Sequence, residues 1–336
     1  MSEDGSPCRV RYYRESDDEA LISLLQESYG GWPTVDVTVA PIEHLRWKLN
    51  SHAIAPRYHM VAEIDSRIVG VRQFWAQPVK VRDRVLMLRQ AVDGCVQPAY
   101  QGRGIAAQLR AFGAEEFRRA FDLHIGGQSG HPAMIKLWLR ESQQPLGNEI
   151  EAWERSLRRV TAPPERPAVQ WTVSQVSRFD GRIDRFWEDA SRAFDFLVVR
   201  SKDYLNWRYA DPRAGAFTIK LAEEGERVLG YAVLRVLRGK GYLADLLVLP
   251  DRLDVLDSLV CDAIRTFGEA GVGTVRYWTP ARHPYKAMIA EHGFVFKRRR
   301  KRYITFLALG TSWDELAFLE DPQTRVHFTI GDLDIV

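Results

Sequence analysis

The segment with the clearest chemical potential is Val96-Gln97-Pro98-Ala99-Tyr100-Gln101-Gly102-Arg103-Gly104-Ile105-Ala106. A strand-like run precedes it and a helical pattern follows, so it forms a strand-to-helix turn. The first four N–H groups of a helix have no partner within it. Glycine lets a ligand approach the backbone closely, and the helix dipole adds about half a positive charge. Together these suit a phosphate or pyrophosphate. The same residues also describe a tight turn without a ligand and a solvated Arg103. No Lys-Ser or Lys-Thr follows Gly104, which excludes a Walker loop, and the third glycine of a dinucleotide fingerprint is missing.

The elements that must position this turn occur twice. His44-Leu45-Arg46-Trp47-Lys48-Leu49 corresponds to Tyr204-Leu205-Asn206-Trp207-Arg208-Tyr209, 160 positions on. Met60-Val61-Ala62-Glu63 with Arg67-Ile68-Val69-Gly70 matches Lys220-Leu221-Ala222-Glu223 with Arg227-Val228-Leu229-Gly230 at the same offset. Val96-Gln97-Pro98 matches Val248-Leu249-Pro250, and His131-Pro132 matches His283-Pro284, both 152 positions on. Landmarks kept in one order identify two copies of one fold. Pro163, Pro164 and Pro167 bar helix and central strand between them. The linker is therefore placed at 161–169, between domains at 1–160 and 170–336.

Each copy reads as α+β. The first has an extended Val10–Tyr13, then a helix opened by the Ser16-x-x-Glu19 capping pattern and carrying Leu21, Leu24 and Leu25. Strands follow over 58–64, 67–76 and 84–96. A helix carrying Ile105, Leu109, Phe112 and Phe117 leads to a short strand, Leu123–Ile125, and a last helix at Ala133–Leu139. The second copy repeats strands near 217–222, 228–237 and 242–249, with a helix near 253–268.

Composition limits the alternatives. The 336 residues are 46% hydrophobic and 27% charged, which excludes a disordered chain, a collagen-like repeat and a small disulfide scaffold. A net charge of +3 argues against a dedicated nucleic-acid binder. No apolar run approaches the ~18 residues of a membrane span. The polar, acidic start Met1-Ser2-Glu3-Asp4-Gly5 is unlike a signal peptide. Cys8, Cys95 and Cys261 have neither metal nor disulfide spacing. These features read as a cytoplasmic protein, monomer or homodimer, with no metal, nucleic-acid or membrane partner.

Gln101-Gly102-Arg103-Gly104-Ile105-Ala106 resembles the Gln/Arg-x-x-Gly-x-Gly/Ala signature of the GNAT acetyltransferase superfamily. Val96-Gln97-Pro98 is similar to the Val-x-Pro that commonly ends that family's fourth strand, and the order of elements is similar too. The resemblance implies two tandem GNAT folds, each a mixed, mostly antiparallel central sheet flanked by helices in an α/β-type sandwich. It implies acetyl-CoA as co-substrate, with the pyrophosphate on Gln101, Gly102, Arg103, Gly104, Ile105 and Ala106. The backbone at Val96 would meet the pantetheine or the thioester carbonyl and stabilise the oxyanion. The second copy has Leu253-Asp254-Val255-Leu256-Asp257-Ser258 at the matching place, without glycine and with two carboxylates. It is expected to bind no acetyl-CoA, although Ala290-Glu291-His292-Gly293-Phe294 resembles the family's closing helix.

An amine acceptor must lose a proton and the CoA thiolate must gain one. Many GNAT enzymes use a carboxylate on the fourth strand as base, but Gln90 stands six residues before Val96, where such a Glu often lies. Asp93 on that strand and Glu63 on a neighbouring one are the candidate bases; for Asp93 the plainer alternative is a salt-bridged strand residue. The family's usual acid is a tyrosine, and none occurs between 101 and 203; Trp138 sits near its place. Solvent or His131 can serve instead, although His283 at the equivalent place of the second copy favours a structural turn. Cys95 adjoins the thioester region but lacks an activating neighbour and reads as a buried thiol. Lys297-Arg298-Arg299-Arg300-Lys301-Arg302 is a solvated strand or a patch for a phosphate-bearing substrate or partner. The final residues, Leu333-Asp334-Ile335-Val336, are a docked strand or, as in some tandem relatives, an end near the cleft whose terminal carboxylate is the base.

The implied function is acetyl transfer to a primary amine of a small molecule by direct attack. The layout and the Trp47 and Trp207 segments resemble larger GNAT proteins of polysaccharide pathways, which points to an amino sugar; core packing is the plainer role for both tryptophans. A polyamine, an aminoglycoside-like drug or a protein lysine would need the same chemistry. A non-catalytic acyl-CoA-binding or regulatory module is the alternative from another class.

Overall fold

The computed structural model describes residues 7–50, 58–126, 143–157, 170–297 and 304–334. The helix expected at Ala133–Leu139, the linker at 161–169 and the basic run beyond Lys297 lie outside the described residues. The first copy runs β1 (Arg9–Tyr12), α1 (Asp18–Tyr29), α2 (Pro41–Leu49), β2 (Met60–Ile64), β3 (Arg67–Val81), β4 (Arg84–Val96), α3 (Ile105–Ala111), α4 (Ala114–Ala120), β5 (Leu123–Gly126), β6 (Gln144–Pro145) and β7 (Ile150–Ser156). The second runs β8 (Thr172–Val176), α5 (Arg182–Ala190), β9 (Phe196–Val198), α6 (Lys202–Leu205), β10 (Thr218–Glu224), β11 (Arg227–Leu237), β12 (Lys240–Val248), α7 (Leu253–Glu269), β13 (Thr274–Pro280), α8 (Lys286–Glu291) and β14 (Val295–Phe296). A tail follows with β15 (Thr305–Ala308), α9 (Trp313–Leu316) and β16 (Val326–His327).

Helix α1 forms because Leu21, Leu24 and Leu25 fall on one face, which packs with Leu45 and Leu49 of α2 and with Val71 of β3. Its start differs from the Ser16/Glu19 capping pattern. Asp17 closes the entry instead, accepting the Arg14 backbone N–H at 2.8 Å and an Arg11 N–H at 2.7 Å. Phe74 and Ala76, on the opposite face of β3, pack with Ile105, Leu109 and Phe117. The single helix expected from Ile105 to Phe117 is two. Phe112 is extended (ψ 131°) and Gly113 is left-handed (φ 68°), where a Cβ would lie 2.9 Å from the Tyr12 hydroxyl.

The two sheets do not follow the expected boundary between 1–160 and 170–336. In the first sheet, β15 from the tail lies between β5 and β6, antiparallel to both. In the second, β7 lies between β13 and β14, again antiparallel to both. Each copy has lent its last strand to the other. Strands β9 and β16 extend the first sheet from the end of β3. A sequence repeat locates the copies but carries no information on which sheet completes each strand's hydrogen bonds.

Candidate active site

Strand β4 is bulged. Val71 faces Cys95 and Gln73 faces Val92, so β4 spends one residue more than β3, and Asp93 takes a left-handed φ of 41° there. Among the described residues β4 pairs in parallel with β5 over Leu88–Gln90. The glycine turn closes the open end of β4. Gly102 (φ 79°) and Gly104 (φ 77°) adopt conformations that favour glycine, and nothing lies within 4 Å of a Cβ built on either. Ala107 and Gln108 both donate to the Gly104 carbonyl, so the amides of Ile105 and Ala106 precede the first bonded donors of α3. Gln101 Nε2 donates to the Val96 carbonyl at 3.0 Å, and Arg103 lies over the Tyr100 ring. The turn can hold an anion on backbone donors at the end of the bulged strand. Gly70 sets how closely α3 sits, since a Cβ there would lie 3.2 Å from both Ile105 and Leu109.

Asp93 is joined to a residue far away in sequence. Its Oδ2 accepts the Trp32 indole N–H at 2.9 Å and Lys48 Nζ at 2.6 Å, and Lys48 Nζ donates equally to Asp334 Oδ2 at 2.8 Å. Burial disfavours charge on Lys48, but Asp334 and Asp93 outweigh it and raise its pKa. The Asp334 carboxyl is pushed up to about 6, by burial first and by Asp93, against the opposing pull of Lys48. Asp334 borders a cavity of about 700 Å³ between the copies, walled by Tyr29 and Trp32 on one side and by Arg238, Lys240 and Arg276 on the other. Tyr29 also donates to the Gly94 carbonyl at 3.1 Å, tying the cavity wall to the bulge.

The other candidates are dispersed. Glu63 is engaged by Arg11, which also holds Asp17. Gln90 is buried, and neither polar atom of its amide has a partner among the described residues. Burial raises the Cys95 thiol, which fits an inert side chain. His131 and Trp138 lie outside the described residues. Sequence reasoning missed Lys48 and the Asp334 side chain. Lys48 left one trace, its place opposite Arg208 in the repeated Trp segment. It also missed Asp257, Cys261 and His292, whose polar atoms come within 4.8 Å of one another on α7 and at the end of α8.

The second copy keeps the bulge, and its two central strands part. Val233 faces Asp245 and Leu234 faces Leu243, and β12 pairs in parallel with β13 only over Gly241–Leu243. Asp245 stands 152 positions after Asp93, as the repeat requires. Here the chain's own tail packs against both strands. His327 approaches Asp245 and His283, and a Cβ on Gly331 would lie 2.7 Å from the Ala244 carbonyl. Arg208 secures the tail by donating to the carbonyls of Gly331 and Leu333.

The same arrangement of two copies recurs in solved structures. A conserved protein of Enterococcus faecalis V583 matches with a TM-score of 0.69 at 14% identity, over 91% of this chain and 73% of that one. A GCN5-related N-acetyltransferase of Anabaena variabilis matches with a TM-score of 0.66 at 10% identity, over 90% and 73%. A tandem GNAT protein from the clavulanic acid biosynthesis pathway matches with a TM-score of 0.59 at 16% identity, over 91% of this chain and all of that one. The chain has the tandem GNAT fold. No protein-family model matches the sequence, and no curated protein sequence is similar to it. In this tandem GNAT fold, then, one copy keeps a glycine turn after its bulged strand and the other fills its strand parting with the tail. No helix among the described residues is long and apolar enough to cross a membrane.

Proposed function

We propose that this protein is an acetyl-CoA-dependent N-acetyltransferase whose first copy binds the cofactor and whose acceptor is a primary amine of a small molecule. One observation carries the reading: the bulged β4 ends in a glycine turn with open backbone surroundings, and Tyr29 ties that bulge to a cavity bordered by the Asp334 carboxylate. Acetyl-CoA would lie with its pyrophosphate on Gln101–Ala106 and its thioester near Val96. Attack by the amine forms the C–N bond and breaks the C–S bond. Of the possible acceptors an amino sugar is favoured, because the cavity wall is polar and charged; a polyamine, an aminoglycoside-like drug and a protein lysine use the same chemistry.

Calorimetric titration with acetyl-CoA tests this directly. The wild type is expected to bind one equivalent, and Gly104→Glu none, because the new side chain sets a negative charge on the pyrophosphate position. Two equivalents would assign a site to the second copy as well. Absence of binding to the wild type would remove the acetyltransferase reading and leave only the fold.

A further inference from the structure

We propose that Asp334 is the general base of acetyl transfer, taking a proton from the acceptor's ammonium group while Lys48 and Asp93 position it. The assignment rests on the acetyl-transfer reading above. Three observations place it. Asp334 is the only carboxylate among the described residues that border the cavity between the copies. Through Lys48 it is coupled to the bulge of β4, three residues before the Val96 backbone. Asp93, the carboxylate that sequence favours, does not border that cavity, and its Oδ2 takes Trp32 as well as Lys48.

The tail explains how a residue so distant arrives. Its turn at Ile330–Asp332 is anchored in the second copy's strand parting, where Arg200 pairs with Asp332 at 2.8 Å. Arg208 grips the Gly331 and Leu333 carbonyls on either side, and the next residue, Asp334, meets Lys48. The copy that carries no glycine turn thus delivers a side chain to the copy that does.

Asp334 is faced by Lys48 from α2, Asp93 from β4, Tyr29 from α1, Arg235 from β11 and Arg208 from the turn after α6. Burial and Asp93 hold its carboxyl near pH 6, so at neutral pH it is ionised and matched to a proton-transfer role. The carboxylate removes one proton from the ammonium and later releases it to solvent through the cavity. The neutral amine then attacks the thioester carbon, the C–N bond forms and the C–S bond breaks. The departing CoA thiolate carries off the second amine proton, leaving the amide and the thiol.

The test uses the full chain with glucosamine as acceptor, following CoA release between pH 5 and 9, with acetyl-CoA binding measured in parallel. Asp334→Asn is expected to bind acetyl-CoA like the wild type, lose at least ~100-fold in kcat and lose the acid limb centred near pH 6. Asp334→Glu is expected to recover part of the rate together with an acid limb. Asp93→Asn is expected to move the limb to lower pH, because it removes a negative charge facing Asp334. An Asp334→Asn enzyme that keeps its kcat within about threefold and its acid limb overturns the assignment and leaves the transferase reading standing. A wild type that binds no acetyl-CoA overturns the reading beneath it.

Discussion

At the scale of single residues, the two copies solve one electrostatic problem with opposite outcomes. Both set a carboxylate at the bulge of a central strand and bring a cation to it, Lys48 to Asp93 and Arg200 to Asp245. Arg200, Asp245 and Asp332 have fully buried side chains. Burial alone would raise the Asp245 carboxyl, but Arg200, His327 and Tyr231 outweigh it and hold it below the ordinary carboxylate range. Its stabilising contribution is therefore complete above about pH 4 and fades as the pH falls further. Asp334 has the opposite sign. Its raised pKa means that its contribution is present at low pH and lost as the pH rises through about 6. Arg200→Ala strands two buried carboxylates and is expected to cost about 3–5 kcal/mol in urea unfolding at pH 7. A loss below ~1 kcal/mol would show that the carboxylates find other partners.

At the scale of elements, the repeated tryptophans form the joint between the copies. Trp47 and Trp207 stack with ring centroids 5.1 Å apart, Trp75 meets both edge-on, and the Trp47 indole donates to the Trp207 carbonyl at 3.0 Å. The helical segment that recurs in sequence thus packs on its own repeat. Trp207→Ala is expected to destabilise the protein by about 3–5 kcal/mol, read from the shift in a guanidinium transition, because it opens a cavity against two other indoles. On the far face of the sheet, Gly70 brings α3 down onto β3. Gly70→Ala should lift the helix and its turn by a few tenths of an ångström. The expected result is acetyl-CoA affinity weakened several-fold, with fold stability reduced by about 1–3 kcal/mol. Unchanged calorimetric affinity would show that the turn adjusts independently of α3.

At the scale of the whole molecule, the exchanged strands make the halves interdependent. Residues 1–160 alone would leave β5 and β6 without β15 between them, and residues 170–336 alone would leave β13 and β14 without β7. Each half would expose unpaired backbone groups in mid-sheet. Expressed separately, the halves are expected to aggregate or to exchange amide hydrogens rapidly throughout. Co-expression should recover a folded pair with protected β5 and β13. A stable, protected monomer of either half would show that the exchange is dispensable.

What the sequence by itself determined was local or periodic. Strands β2 to β4, the turn at Gln101–Ala106 and the helix at α7 are written in short-range patterning, and the duplication in matched landmarks at constant offsets. Gly113 inside an otherwise helical pattern could have signalled the break between α3 and α4. The tertiary structure alone decided what depends on contacts between distant segments. It chose which sheet each final strand completes, seated the tail in the second copy's parting, and brought Lys48, Asp93 and Asp334 together. A hydrogen-bonded edge or a buried cation accepts any partner of the right chemistry, so neither leaves a mark on the sequence spacing. Only the packing of the two copies selects the partner.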